Sequence, residues 1–263
     1  MKYQKHDIFV ALNDIDLHDA KVVSIKTDLR YFGRHDFNSS QEFLESFYEA
    51  ICEKIDLHTQ TIVVSTGTLA LCNTDIPFDI ENSISEMGAL TEFIRQQPGA
   101  VRSNHPFASY AAIGKDAEYI CNDNSMHAYG PNSPKSRMLE LGTQYLCFGV
   151  HPYNSTTVIH HAEFLSNVPY RYVKEFLHPI LINGVVRKKL FYMHSMYNKY
   201  KIVRNLEQKL YPNFFDAGFN FQEVDLGQGK IYSFSMNDFF EIAVSTFKND
   251  LYAFVETPIL EKK

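Results

Sequence analysis

Between residues 78 and 170 the polar side chains of this chain fall into three tight groups. They are Arg102-Ser103-Asn104-His105-Pro106, then His127-Ala128-Tyr129-Gly130-Pro131-Asn132-Ser133-Pro134, then Asn154-Ser155-Thr156-Thr157-Val158-Ile159-His160-His161-Ala162-Glu163. Apolar runs separate the groups, so a fold can bring them to one place. Histidines, a carboxylate, hydroxyls and an arginine together suit proton transfer, because free imidazole titrates near pH 6.5. His127 is the first candidate for a general base. It precedes a Gly-Pro-Asn turn and a helix start, which places it on a loop at a site edge; a plain surface histidine is the other reading. His160 and Glu163 stand three apart and share a helix face, while His161 points about 100° away and reads as a core residue. Glu163 can orient His160 or reach His127 from across the site. Metal binding competes for the same residues. Adjacent His160 and His161 cannot comfortably chelate one ion from a helix, however, and no His-x-x-x-His pattern accompanies them. No metal is therefore expected.

The elements that must hold these groups are written in the patterning. Ser39-Ser40-Gln41-Glu42 has the form of a capping box. Phe43, Phe47, Ala50, Ile51 and Ile55 then recur at helical spacing and predict a helix over 41–55. A short N-terminal helix and a strand at about 21–25 precede it, and 61–65 reads as a buried strand. Strand, helix, strand implies a βαβ unit and a partly parallel sheet. Further helices are predicted over 85–97, over 134–141 with Ser133 as N-cap and Gly142 closing it, and over 156–166, stopped by Pro169. A strand over 144–150 lies between the last two. Beyond residue 170 a β-rich aromatic stretch turns at Asn183-Gly184. Gly227-Gln228-Gly229 reads as a turn between strands, and Ser235-Met236-Asn237-Asp238 caps a last helix to about 248. The simplest account is one α/β domain over 1–263, with its core at about 20–176 and a less regular aromatic portion over 177–263.

Composition bounds the function. A chain of 263 residues with 45% hydrophobic and 21% charged residues can bury a large core. A net charge of −6 gives no general attraction for nucleic acid. No apolar run is long enough to span a bilayer, and the N-terminus lacks the apolar stretch of a signal peptide. Cys52, Cys72, Cys121 and Cys147 are widely spaced and read as free thiols of a reducing cytoplasm. The aromatic excess of 16 Tyr and 21 Phe reads as core and interface packing, which is compatible with a homodimer.

Several segments keep the order and spacing of a known family over roughly a hundred residues, a more specific signal than one short motif. They are Phe78-Asp79-Ile80, Met87-Gly88-Ala89-Leu90-Thr91-Glu92, Pro98-Gly99-Ala100-Val101-Arg102-Ser103-Asn104-His105-Pro106 and Ala112-Ile113-Gly114. His127 with Ser133-Pro134, His160-His161-Ala162-Glu163 and Val168-Pro169-Tyr170-Arg171 complete the set. In these the chain resembles the aminoglycoside 3-N-acetyltransferase family, which moves an acetyl group from acetyl-CoA to an amine on a sugar. The likeness weakens toward the N-terminus and fades after about residue 176.

The resemblance implies an antibiotic-acetyltransferase-like α/β fold with a mixed, partly parallel sheet flanked by helices. It implies acetyl-CoA as acyl donor, His127 as the base, and Glu163 or another carboxylate to orient it. His160 and Thr157 would line the thioester site. Thr27, Arg102, Ser103, Thr156 and Thr157 would lie on the CoA side, with simple capping or ion pairing as their structural alternatives. Asp28, Asp79 and Glu92 would face the acceptor. Two departures bear on that acceptor. Antibiotic-modifying members commonly carry His-Ser-Ser after the first strand, where this chain has Lys26-Thr27-Asp28. Those members also supply acids from the C-terminal half, where this chain has Val186-Arg187-Lys188-Lys189-Leu190-Phe191-Tyr192-Met193-His194. A basic lip suits an anionic or neutral acceptor better than a polycation. With Phe32-Gly33 and the 168–176 run, this resembles the branch found among surface-polysaccharide enzymes. The expected acceptor is thus a nucleotide- or carrier-linked amino sugar, with an aminoglycoside as the alternative. A metal-dependent hydrolase and a catalytically silent CoA-binding protein are the readings from other classes.

Overall fold

The computed structural model of the chain describes residues 2–17, 19–197 and 210–256. Among these residues the strands are β1 (Val22–Thr27), β2 (Thr61–Ser65), β3 (Phe78–Asp79), β4 (Val101–Arg102), β5 (Tyr110–Gly114), β6 (Thr143–Phe148), β7 (Arg171–Ile182), β8 (Val185–Met196), β9 (Gln222–Leu226) and β10 (Gly229–Ser235). The helices are α1 (Lys5–Asn13), α2 (Ser40–Lys54), α3 (Ala89–Arg95), α4 (Ala117–Cys121), α5 (Pro134–Leu141), α6 (Pro152–Ser155), α7 (Ile159–Leu165), α8 (Tyr211–Asp216) and α9 (Met236–Asn249). The main sheet has the order β4-β5-β2-β1-β6-β10-β9, and a smaller one has the order β3-β7-β8. β1, β2 and β6 run parallel, and the other strands of the main sheet are antiparallel to their neighbours. This is the expected mixed α/β fold, with β1-α2-β2 as the expected βαβ unit.

Alternation along the strands sorts the core into two layers. Val23, Ile25, Ile62 and Val64 turn to α1, α2 and α3. Val22 and Val63 turn the other way, toward α4, α5, α7 and α9. A strand with helices on both faces is apolar on both sides, and the central strands are (Val22, Val23 and Ile25 are fully buried). Polar exceptions occur on both faces: Gln144 and Ser233 pair with each other on the Val23 and Leu146 side. Ser24 and Lys26 turn to the α5 and α7 side, where they begin a polar layer inside the core.

Several elements differ from the sequence reading. The helix expected over 85–97 starts only at Ala89, because Gly88 takes φ +124° and Ser85 instead donates its backbone N–H to Glu92. The helix expected over 156–166 is broken. Thr156 takes ψ +84° and donates its hydroxyl to the Pro152 carbonyl, so α7 begins at Ile159. The strand expected over 144–150 ends at Phe148, before Gly149 at φ +73°. The portion expected to be less regular holds the end of β7, then β8, α8, β9, β10 and α9; its parts 198–209 and 257–263 lie outside the described residues. Asn183 and Gly184 both take positive φ, the geometry of a tight hairpin turn, and join the two long strands β7 and β8 as expected.

Candidate active site

α7 carries His160 and Glu163 one turn apart on one face. His160 Nδ1 lies 2.7 Å from Glu163 Oε2. The chain then turns into β7, which brings Tyr170 and Arg171 back onto the same carboxylate. The Tyr170 hydroxyl donates to Oε1 at 3.0 Å. Arg171 Nε lies 2.9 Å from Oε2, an ion-pair distance, although its N–H points off the line of a hydrogen bond. Glu163 is 1% exposed, and a carboxylate so buried is tolerable only with partners of this kind. Arg171 Nη2 also approaches His160 Nδ1, at 3.3 Å. One ring nitrogen cannot serve both as donor and acceptor. The shorter contact is to an anion, so the proton sits on Nδ1 and points at Glu163. Nε2 then keeps its lone pair, the form a proton acceptor needs.

His127 is held differently. Its neighbours Met126 and Ala128 bond to the backbone of Tyr192 on β8. Its Nδ1 accepts the backbone N–H of Tyr129 at 3.0 Å. The neutral ring therefore carries its proton on Nε2, which is buried and meets no hydrogen-bond partner. Burial, then the neighbouring His161, depresses its pKa to about 4. The geometry expected of the base is found at His160, and the carboxylate expected to serve His127 is bound to His160. His161 is the core histidine the sequence indicated: 3% exposed, its Nδ1 2.6 Å from the Tyr129 carbonyl. His194 is buried against Phe164, and burial followed by Arg171 lowers its pKa to about 4. His105 is lowered to about 4 as well, mainly by burial.

Of the residues expected on the CoA side, Thr27 lies at a cleft and Thr157 at the Lys135 ammonium. Thr27 lines a cleft of about 610 Å3 at the end of β1, with Asp28, Ser40, Phe43, Leu44 and Gly88 among its walls. A ligand site outside the carboxyl ends of parallel strands is the usual arrangement in open α/β sheets. Asp28 is clasped by Arg30 at 2.6 and 2.8 Å, and that hydrogen bonding holds its carboxyl below the usual range. Thr157 accepts a hydrogen bond from Lys135 Nζ at 2.7 Å. The others are used up by the fold. Arg102 is buried against Phe78 and donates to the carbonyls of Ile80, Ser83 and Thr66. Its guanidinium staples loops to β4 and has no face left for a phosphate. Ser103 Oγ accepts the Tyr110 N–H, and Thr156 closes its own turn.

The two carboxylates expected to face an acceptor are similarly spent. Asp79 accepts the backbone N–H groups of Glu81 and Asn82 in a tight turn. Glu92 is bound by Arg95 through both oxygens and by the Ser85 N–H. The basic lip is also displaced. His194 reaches the site, but Lys189 and Arg187 lie five and seven residues further along β8, roughly 17–23 Å away at about 3.3 Å per residue. Lys188 pairs there with Asp75. Sequence reasoning missed Tyr170 and Arg171 as partners of Glu163, and it missed Lys135. The Val168-Pro169 stop, which returns the chain to α7, was the available signal for the first two. Among the described residues no three His, Cys, Asp or Glu side chains converge as metal ligands, and no helix is long and apolar enough to cross a membrane.

Comparison with known proteins gives the context for this geometry. A family model described as aminoglycoside 3-N-acetyltransferase matches residues 59–248. Aminoglycoside N(3)-acetyltransferase VII of Streptomyces paromomycinus is 40% identical over 98 residues, 37% of this chain and 34% of that protein. The matched segment thus spans about a third of that relative's length. The apoenzyme structure of aminoglycoside acetyltransferase AAC(3)-IVa has a TM-score of 0.76 at 20% identity, covering 100% of this chain and 95% of that one. AAC-IIIb in its binary complex with CoASH has a TM-score of 0.76 at 20% identity, with 95% and 97% covered. At these identities the structural likeness speaks for the fold. Lys26, Thr27 and Asp28 precede the span that the family model matches.

Proposed function

Because the chain belongs to the aminoglycoside 3-N-acetyltransferase family, we propose that it transfers an acetyl group from acetyl-CoA to an amine of an aminoglycoside, with His160 as the general base. The observation that carries this reading is the 2.7 Å contact between His160 Nδ1 and Glu163. An amine attacks a thioester only without its extra proton, and with Nδ1 protonated toward Glu163 the basic lone pair of His160 is on Nε2. As His160 takes that proton it becomes a cation, and Glu163 already lies against Nδ1 to stabilise it. Tyr170 and Arg171 hold Glu163 still while this happens, so little reorganisation is required. The C–N bond forms as the C–S bond breaks; His160 returns its proton to the departing thiolate, and the second N–H proton, shed as the amide forms, passes to the vacated Nε2 and from there to solvent. We assign the donor to the cleft beside Thr27, where Phe43, Leu44 and Leu90 form apolar wall and Thr27 and Ser40 offer hydroxyls to an amide-bearing arm. Thr157, half-buried two residues before α7, is suited to the thioester oxygen.

Two considerations support the aminoglycoside over the polysaccharide amino sugar that the sequence favoured. The family model and the Streptomyces paromomycinus relative carry the aminoglycoside description. The basic lip that argued against a polycation lies roughly 17–23 Å along β8 from His194 and no longer bears on the acceptor. The test is release of free thiol from acetyl-CoA after exhaustive EDTA treatment. A panel of aminoglycosides is set against a panel of nucleotide-linked amino sugars. Turnover is expected with the first and at least tenfold less with the second. The reverse order would restore the polysaccharide acceptor, and turnover that returns only with a divalent ion would favour a metal-dependent hydrolase.

A further inference from the structure

On the α5 and α7 side of the sheet, β1, β2, β5 and β6 together present a polar layer inside the core. Lys26 is 9% exposed and Lys135 is 1% exposed. Both ammonium groups lie over the ring of Tyr110, at 5.7 and 4.8 Å from its centroid. Lys26 Nζ donates to Ser65 Oγ at 2.7 Å. Lys135 Nζ is bound to the hydroxyls of Tyr110 and Thr157. Among the described residues neither lysine makes an ion pair. The groups that act on them are Tyr110, Cys147 and each other, and Lys135 in turn acts on His161; none is a carboxylate.

Counting donors sharpens the imbalance. An ammonium has three N–H donors. Lys26 therefore keeps two unspent and Lys135 keeps one. The Ser24 hydroxyl beneath them is buried and unpaired, and the Tyr145 hydroxyl lies beside Thr157 without completing a hydrogen bond. In the sheet, Ser24 and Tyr145 are direct neighbours, as are Lys26 and Cys147. Five unspent donors thus gather around two buried cations. A carboxylate, with one negative charge and about four lone-pair positions, is the group that matches this set.

We propose that Lys26 and Lys135 form a binding site for a carboxylate group. The proposal rests on this charge and donor count and not on the transferase reading, so failure of either leaves the other standing. Burial lowers Lys26 to about 8 and Lys135 to about 7. Both are therefore cationic below about pH 7 and lose charge as pH rises through about 8. A bound carboxylate holds them charged, so its binding must weaken over the same interval.

The test is thermal unfolding of the full chain at about pH 6 and about pH 9, with potassium acetate titrated against potassium chloride at constant ionic strength. The expected result at pH 6 is a saturable rise of roughly 4 °C or more in acetate over chloride. That rise should vanish at pH 9, in Lys135→Met and in Lys26→Met. No acetate-specific rise at pH 6 would overturn the proposal, as would a rise unchanged in both variants. If one variant fails to fold, the other and the pH comparison still decide. Calorimetric titration of succinyl-CoA against acetyl-CoA separates the sources of the carboxylate. Binding of succinyl-CoA at least tenfold tighter, lost in Lys135→Met, supports the site and assigns the carboxylate to the donor's acyl chain. Equal binding of the two thioesters, with the acetate effect intact, supports it and assigns the carboxylate to a separate molecule.

Discussion

Two clusters of buried charge lie on the same side of the main sheet, and they are built on opposite plans. Around α7 the Glu163 carboxylate meets an imidazole, a guanidinium and a phenol, all within 3.0 Å. Around Tyr110 two lysines meet hydroxyls and aromatic rings and no anion. Desolvating an ion costs several kcal/mol, and only good geometry repays it. In the first cluster the repayment is internal, so the charges fix one another and fix the ring of His160. In the second it is not, so the charges respond to pH and to ligand. A closed network positions a group; an open one waits for a partner.

The comparison can be broken most severely at His160. His160→Ala is expected to lower kcat for acetyl transfer by roughly 10²–10⁴-fold, the range for loss of a general base, with little change in acetyl-CoA affinity. Steady-state kinetics and a binding titration read the two separately. Glu163→Gln keeps the shape and removes the charge. A decrease of roughly 10–10² in kcat is expected, together with a stability loss of about 3–5 kcal/mol, because Arg171 is left buried beside a neutral amide. Urea unfolding measures the second, and near-normal stability would mean that the network is not closed as described.

The pH dependence of stability separates the two clusters more gently. His105, His127 and His194 titrate near 4 in the fold against about 6.5 in the unfolded chain. Between these values the unfolded state binds more protons, so stability falls as pH drops from about 6.5 toward 4. Lys135 titrates near 7 in the fold against about 10.4 when unfolded, so the same sign applies higher up and stability rises with pH from about 7 to 10. Lys26, near 8 in the fold, adds to the same rise, so Lys135→Met should reduce that alkaline rise without abolishing it and be more stable than wild type at about pH 6 in chloride. Urea midpoints across pH check both limbs; a variant that keeps the full alkaline rise of wild type would show that Lys135 contributes none of it.

Much of this was legible in the sequence, for reasons that differ by residue. The β-rich run 61–65 gave β2, a short strand at about 21–25 gave β1, helical spacing with Ser39 gave α2, and Ser133-Pro134 gave the start of α5. Asn183-Gly184 gave the hairpin because that turn demands positive φ at both positions. The three-residue spacing of His160 and Glu163 placed them on one face, which is local geometry. What could not be read was who else reaches that face. Tyr170 and Arg171 arrive after a chain reversal, and only that reversal shows which histidine owns the carboxylate. In the β5 segment Tyr-Ala-Ala-Ile-Gly two alanines and a glycine dilute the strand signal of Tyr110 and Ile113. Arg102 carried a family motif yet is consumed by loop carbonyls, and Lys135 looked like any lysine in the first turn of a helix. In each case the type of the residue was visible and its partners were not.

The central claim is that the base is the histidine that Glu163 holds and not the histidine on the loop. It is tested by pre-steady-state thiol release from acetyl-CoA in the presence of an aminoglycoside, with wild type, His160→Ala and His127→Ala side by side across pH. The account predicts a loss of roughly 10²–10⁴-fold in His160→Ala and less than tenfold in His127→Ala. A near-normal rate in His160→Ala with a collapsed rate in His127→Ala would contradict it and return the base to the loop.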